Sequence, residues 1–223
     1  MPTVSVIIPT YNRPDFIGKA LDSVLAQTYQ DFEIIVVDDG LEKRADEVVA
    51  SYTDPRIRYI QHRENKGGSA ARNTGIKAAT GEFKKVGDEV GFCFSAADTD
   101  RDGDIVRTYV QEGVDDFYEL SLKRFKGFLT PTLIIRRAVF DTVGYFDENF
   151  PSHQEPDLLI RVTKKYKGLA INEPLIVVNM CSNHDHVGGS LRRRIAGREM
   201  ILQKYMDEFK QRPKVLAKHY FQL

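Results

Sequence analysis

The feature that most constrains this chain is the repeated pairing, over residues 4–79, of a short β-branched run with a segment of helical period. Residues 4–8 form an apolar run that stops at Pro9. Behind Pro14, whose missing N–H costs nothing at a helix start, Phe16, Ile17, Ala20, Leu21, Val24 and Leu25 recur at helical spacing. A second apolar run, 32–37, ends in Asp38-Asp39-Gly40. A helical stretch over 46–52, a third strand over 57–60 and a helix over 69–79 follow, the last behind Gly67-Gly68 with Ser69 as its cap. Strands alternating with helices predict βαβ units and a parallel sheet. Ligands of such sheets sit outside the carboxyl ends of the strands, so 9–12 and 38–40 are placed on one rim.

The second half has a more mixed pattern. Residues 90–95, 105–110, 133–136 and 175–179 read as strands, 115–125 and 155–165 as helices, and 191–211 as an amphipathic helix. There is no internal repeat and no low-complexity linker. With 223 residues the chain fits one domain. Lys and Arg number 32, as do Asp and Glu, so bulk charge gives no argument for nucleic acid, and no nucleic-acid partner is expected. Cys93 and Cys181, with no CxxC spacing, read as thiols of a reducing compartment. No leader pattern precedes the first strand and no apolar run is long enough to span a bilayer. A cytoplasmic location, with membrane association as an option, is the expectation.

Three motifs make sense together: VSVIIPTYNRP, FEIIVVDDG and ENKGGSAARNTGIKAATGEF, followed later by GYFDENFPSHQEPDLLIRV and INEPLIVVNM. In combination they resemble the family-2 inverting glycosyltransferases. The resemblance implies an α/β fold of GT-A type: a Rossmann-like, mixed but mainly parallel central sheet flanked by helices, here with a C-terminal amphipathic helix. It also implies a single glycosyltransferase domain over 1–223, with a nucleotide-binding half (1–97), an acceptor and catalytic half (98–190) and a helical extension (191–223).

A bound nucleotide needs a flat surface for its base, acceptors for base N–H and ribose hydroxyls, and cations for its phosphates. Tyr11 offers the surface, Thr10 a hydroxyl, Asp39 an acceptor, and Arg72 a planar donor of fixed charge. By resemblance, nucleotide binding falls on Pro9, Thr10, Tyr11, Asp38, Asp39 and Arg72. Plainer readings stand beside these: Tyr11 packs, Arg72 pairs with a carboxylate, and Asp38-Asp39 cap a helix or form a phospho-acceptor pair. No GxGxxG follows the first strand, which argues against a dinucleotide fold, and PTYNRP is not the glycine-rich basic loop of a nucleotidyltransferase.

The second site is His153-Gln154-Glu155-Pro156-Asp157, where the resemblance puts an acidic pair six residues before an arginine, here Arg161. An inverting transfer needs one carboxylate to take the acceptor hydroxyl's proton. Glu155 is assigned that role and Asp157 is the reserve. Gln154 replaces the usual preceding acid. Alternatively Glu155 caps the helix that Pro156 begins, and Asp157 is a solvated first-turn acid. His184 and His186 follow the last strand. The family often has a histidine here near the diphosphate or metal, and His186 is a weak metal candidate, or a loop bystander. Gly188-Gly189 suggests a lid.

The family's GEF leads into a strand ending in a DxD-type cluster that holds Mg²⁺ or Mn²⁺ on the donor diphosphate, where a hard cation offsets the charge of the departing group. Here Gly81-Glu82-Phe83 runs into Lys84-Lys85-Val86-Gly87-Asp88-Glu89. Asp88 is not taken as a ligand, because Lys-Lys-Val-Gly is no buried central strand. The six residues to Val90 are also too few for a parallel crossover, which takes roughly a dozen or more. About 20–25 residues, a strand and a crossover helix, are inferred to be absent after Phe83. Either the sequence omits them or the protein itself lacks them.

The leading expectation is an inverting hexosyltransferase-like enzyme. It moves a sugar from a nucleotide-sugar donor, UDP-sugar favoured, to a saccharide or lipid-linked acceptor, in cell-wall or polysaccharide biosynthesis. The alternative is a catalytically degenerate nucleotide-sugar binder without the metal motif. The helix over 191–211, with Arg192-Arg193-Arg194 beside Ile195, Met200, Ile201, Leu202, Tyr205 and Phe209, either makes peripheral membrane contact or packs on the core.

Overall fold

The structure is a computed structural model that describes residues 2–82, 87–125, 128–180 and 190–222. Two compact units make up the chain, Met1–Lys85 and Val86–Leu223. The α/β character expected from the sequence is present, with the strands distributed between two sheets.

In the first unit, β1 (Val4–Thr10), α1 (Pro14–Leu25), β2 (Phe32–Asp38), α2 (Asp46–Ala50), β3 (Ile57–Gln61) and α3 (Gly68–Ala78) alternate as predicted. The strands are parallel in the order β1-β2-β3, and Thr10, Asp38 and Gln61 are aligned across the sheet at its carboxyl end. β2 is buried along its whole length because both its faces are covered. Phe32, Ile34 and Val36 pack with Ile17 and Leu21 of α1 and Val49 of α2, while Ile35 and Val37 pack with Ala71 on the α3 side. Each such aliphatic side chain contributes about 1.5–3 kcal/mol when fully buried. Gly75 lets α3 close on β1: a Cβ there would lie 2.4 Å from Ile7 Cγ2.

β1 is only half-buried, and among the described residues its strand pairing is with β2 alone. After α3 the chain returns to β1, where Gly81 N donates to Ser5 Oγ at 2.9 Å. Here the family's next strand was expected. Residues 83–86 lie outside the described residues.

This return is fastened by Glu33, a buried acid on β2. Its Oε1 accepts from Ser5 Oγ, Thr80 N and Thr80 Oγ1 at 2.7, 2.6 and 2.8 Å, and its Oε2 accepts from Arg58 at 3.0 Å. Burial pushes the pKa of Glu33 up, but the hydrogen bonds from Thr80, Ser5 and Arg58 outweigh it and hold the group at about 2, against an ordinary 4.5. Folding therefore binds the ionised form more tightly. Its stabilisation is complete above pH 4.5 and is lost as pH falls through about 2. We expect acid titration of wild type to show a loss across that window, at most about 3 kcal/mol, that Glu33→Gln does not show in chemical denaturation. Equal pH slopes for the two proteins would contradict this.

The second unit contains β4 (Val90–Arg101), β5 (Asp104–Thr108), β6 (Gly113–Asp115), α4 (Tyr118–Lys123), β7 (Leu133–Ile135), α5 (Arg137–Val143), α6 (Gln154–Thr163), β8 (Lys167–Asn179), α7 (Leu191–Lys204), α8 (Met206–Lys210) and α9 (Pro213–Phe221). Its sheet runs β5-β4-β8-β6, with β7 also on β4. β4 and β8 are parallel, and the other pairs are antiparallel. Phe92, Phe94, Phe117 and Phe128 pack edge-to-face on one side of this sheet.

Two sequence expectations change here. β8 begins at Lys167 rather than at 175, and its ladder with β4 shifts register between Ser95 and Ala97, opposite Pro174. The helix expected over 191–211 breaks at Tyr205 (φ −115°, ψ 28°) into α7 and α8. Its apolar side packs into the core, Ile201, Leu202, Tyr205 and Phe209 lying against Leu122, Phe150 and Ile160. Among the described residues no helix is long and apolar enough to cross a membrane.

Candidate functional site

In the first unit the loops that leave the three strands converge. Asp39 N donates to Thr10 O at 2.9 Å, joining the ends of β1 and β2. Gly40 sits so close to Asn12 that a Cβ would lie 2.7 Å from its backbone N, and Asn12 (φ 51°) accepts from Lys43 N at 3.3 Å. Pro9 and Thr10 are half-buried in this turn, while Tyr11 is 53% exposed.

The two acids of the rim divide the work. Asp38 is fully buried, its Oδ1 accepting from Gly40 N at 2.8 Å and its Oδ2 from Ala45 N and Tyr59 Oη at 2.7 and 2.8 Å. Burial and the Asp38 carboxylate push the Tyr59 hydroxyl's pKa up. Asp38 thus folds its own loop and ties in Ala45, the residue before α2; it is not a helix cap, since α2 starts behind Ala45 without a side-chain cap hydrogen bond. Asp39, 2% exposed, reaches toward β3: Oδ1 accepts from His62 Nδ1 and Lys66 N, both at 2.8 Å, and Oδ2 from Gly67 N at 2.7 Å. A carboxylate only accepts, so His62 donates from Nδ1, and its Nε2 lies 2.9 Å from the Thr74 hydroxyl. A carboxylate has about four lone-pair positions, so Oδ2 keeps one for a further donor.

By holding Lys66 and Gly67, Asp39 sets the start of α3. Gly67 takes φ 88° as the residue before the helix. Ser69, predicted as the cap, lies inside the first turn, buried, and its Oγ meets no partner among the described residues. Arg72 is half-buried in the same helix, and a Cβ on Gly68 would lie 3.3 Å from its Nη1. The structure thus links the β1 and β2 loops to the start of α3, where Arg72 stands. Sequence reasoning missed His62. The signal was a histidine directly after the third strand, level with Asp39.

In the second unit Glu155 and Asp157 are two residues apart in environments of opposite kind. α6 starts at Gln154 with His153 in the left-handed region (φ 62°) as the residue before it. Glu155 is therefore in the first turn and not the cap expected from Pro156. Ser152 Oγ donates to Arg193 O at 2.8 Å, and Gly197 admits this approach, since a Cβ there would lie 2.4 Å from Ser152 Oγ. α7 so clamps the loop that presents Glu155, which is half-buried and lines a cavity of about 260 Å³.

Asp157 has no exposed surface. Its Oδ2 accepts from Arg161 at 2.8 Å, and its Oδ1 from Tyr205 Oη at 2.8 Å and Lys204 Nζ at 2.7 Å. Burial, then the Asp157 charge, pushes the Tyr205 hydroxyl's pKa up. Asp157 is a scaffold acid joining α6 to α7, rather than the solvated first-turn acid of the sequence alternative. His184, His186, Cys181 and the Gly188-Gly189 turn fall outside the described residues. Among the described residues no group of three or more His, Cys, Asp and Glu side chains gathers to hold a metal.

Removing one partner of a buried ion pair costs about 3–5 kcal/mol, and a hydrogen bond to a charged group about 1.5–3 kcal/mol. We therefore expect Asp157→Ala to lower stability by at least about 3 kcal/mol and Tyr205→Phe by about 2 kcal/mol in urea denaturation. An Asp157→Ala protein as stable as wild type would refute the scaffold role.

Residues 5–86 match the family model described as glycosyl transferase family 2. An uncharacterized glycosyltransferase of Rickettsia felis is 32% identical over 192 residues, covering 73% of this chain and 32% of that protein. The chain spans about a third or less of the curated relatives' length, 24% and 32% for the first two. Among solved structures, S. aureus TarS 1-349 in complex with UDP-GlcNAc has a TM-score of 0.70 at 20% identity, covering 85% of this chain and 61% of that one. The mannosyltransferase PcManGT from Pyrobaculum calidifontis, in complex with GDP-Man and Mn²⁺, has a TM-score of 0.64 at 20% identity, covering 100% of this chain and 70% of that one. These likenesses show a shared GT-A fold.

Proposed function

The chain belongs to glycosyl transferase family 2, and on that premise we propose that it takes a nucleotide sugar, a UDP-sugar by preference, and transfers the sugar to an acceptor hydroxyl with inversion at the anomeric carbon. The observation that carries this reading is the buried Asp39, which gathers the loops after β1, β2 and β3 at the start of α3.

In this reading the base stacks on exposed Tyr11, and the free position of Asp39 Oδ2 accepts a pyrimidine N–H or a ribose hydroxyl. Pro9 and Thr10 wall the base. Arg72, beside the N-terminus of α3, meets the diphosphate, which that helix end also favours. Asp38 acts indirectly, by shaping the loop. Glu155 takes the proton of the acceptor hydroxyl as its oxygen bonds to the anomeric carbon and the bond to the nucleoside diphosphate breaks. Mg²⁺ or Mn²⁺, the family's expectation, would offset charge on that leaving group. The acceptor is a saccharide or a lipid-linked saccharide in cell-wall or polysaccharide assembly. The work is placed in the cytoplasm, with exposed Arg192 and Arg193 as its contact to an anionic membrane surface.

A second reading, a nucleotide-sugar binder without turnover, is favoured by Gln154 in place of an acid and by the short span from Phe83 to Val90. A panel of UDP-sugars with Mn²⁺ and mixed acceptors separates the two. The transferase reading expects a product of inverted anomeric configuration by NMR. It also expects Glu155→Gln to lose about 10²- to 10⁴-fold in kcat with donor Kd unchanged. Binding of UDP without turnover of any donor would leave the binder. Full activity in Glu155→Gln would remove Glu155 from its role.

A further inference from the structure

The cavity that Glu155 lines holds two cations. Arg194 and Arg198 of α7 both face it, together with Phe125, His153 and Gln222. The two residues stand four apart on α7, a spacing at which like charges oppose each other. Among the described residues neither forms an ion pair.

The partners of Arg198 are neutral. Its Nη1 donates to Gln222 Oε1 at 2.6 Å, and its guanidinium lies over the Phe125 ring, 5.4 Å from the centroid. The same Nη1 is 3.3 Å from His219 Nδ1. His219 is fully buried and its Nε2 is 2.7 Å from the Leu122 carbonyl, which only accepts, so Nε2 carries the ring proton and Nδ1 is an acceptor. Burial first, then the charge of Arg198 and Lys218, lowers the His219 pKa, which keeps the ring neutral. Burial and the charge of Arg194 together lower the pKa of Arg198. The fold thus holds a half-buried guanidinium, braced by neutral groups, beside a second, exposed one, and both point at one small space. Such a pair is stabilised by an anion that accepts from both forks, and phosphate geometry suits paired guanidiniums.

We propose that this cavity receives a phosphate group carried by the acceptor, held between Arg194 and Arg198 beside Glu155. The assignment to the acceptor rests on the reading of Glu155 as the base, since the group that yields its proton must lie against that carboxylate. The volume agrees: about 260 Å³ falls below the roughly 300–1,000 Å³ of whole-ligand sites, enough for the reacting end of a larger molecule.

Titration of the full chain with inorganic phosphate, glycerol 3-phosphate and glycerol, followed by NMR of the arginine side chains, tests this. Saturable shifts at Arg194 and Arg198 are expected with both phosphates, tighter with glycerol 3-phosphate, and none with glycerol. Arg194→Gln should weaken phosphate binding about tenfold or more, which is about 1.4 kcal/mol. That residue is exposed and unpaired among the described residues, so the variant keeps its fold, which circular dichroism checks. Arg198→Gln is the less decisive variant because it also removes packing on Phe125. The proposal is overturned by absence of phosphate binding, by equal affinity in Arg194→Gln, by equal affinity for inorganic phosphate and glycerol 3-phosphate, or by displacement of bound phosphate by UDP, which would assign the site to the donor. Failure of UDP to bind at all would instead sink the donor rim and leave this result standing.

Discussion

A carboxylate 2% exposed at the end of a central strand is costly unless its oxygens are satisfied. Asp39 is satisfied by His62 Nδ1 and the backbone N–H groups of Lys66 and Gly67. The arrangement of the first unit's rim depends on that bonding. It draws the segment after β3 across the end of β2, sets the left-handed Gly67 before α3, and so locates Arg72 relative to the loops of β1 and β2. Asp38, one residue earlier, satisfies itself inward on Gly40, Ala45 and Tyr59. Adjacent acids on a strand point to opposite sides, so one shapes its own loop and the other gathers its neighbours.

The second unit uses the same chemistry to opposite ends. Asp157 is closed off by Arg161, Lys204 and Tyr205, and this cross-link anchors α6 to α7. Glu155, half a turn earlier, faces an open cavity whose walls α7 also supplies. A rigid cross-link beside an accessible carboxylate is what a positioned base requires, because its orientation is then set by packing rather than by the substrate.

The first unit was readable because each of its signals is local. β-branched runs fix the strands, Pro14 starts α1, and Asp-Asp-Gly marks the end of β2. What could not be read depends on contacts distant in sequence. Pro174 argues against a strand on local grounds, yet β8 runs through it because a register shift in β4 accommodates the lost donor. Ser69 has the composition of a cap, but Gly67 takes that place because Asp39 holds its N–H. The amphipathic run after 191 reads as one helix until Tyr205 turns into the core to reach Asp157. His62 stands directly after β3, a local signal, but the partner that gives it a role, Asp39, is 23 residues away in sequence.

The central claim is that the rim gathered by Asp39 receives a nucleoside diphosphate. Amide chemical-shift mapping of the intact chain during UDP titration, with and without Mn²⁺, tests it most directly. Saturable shifts concentrated in residues 9–12, 38–40 and 66–72 are the predicted result. A titration without saturable shifts, or one whose shifts fall elsewhere in the chain, would contradict it.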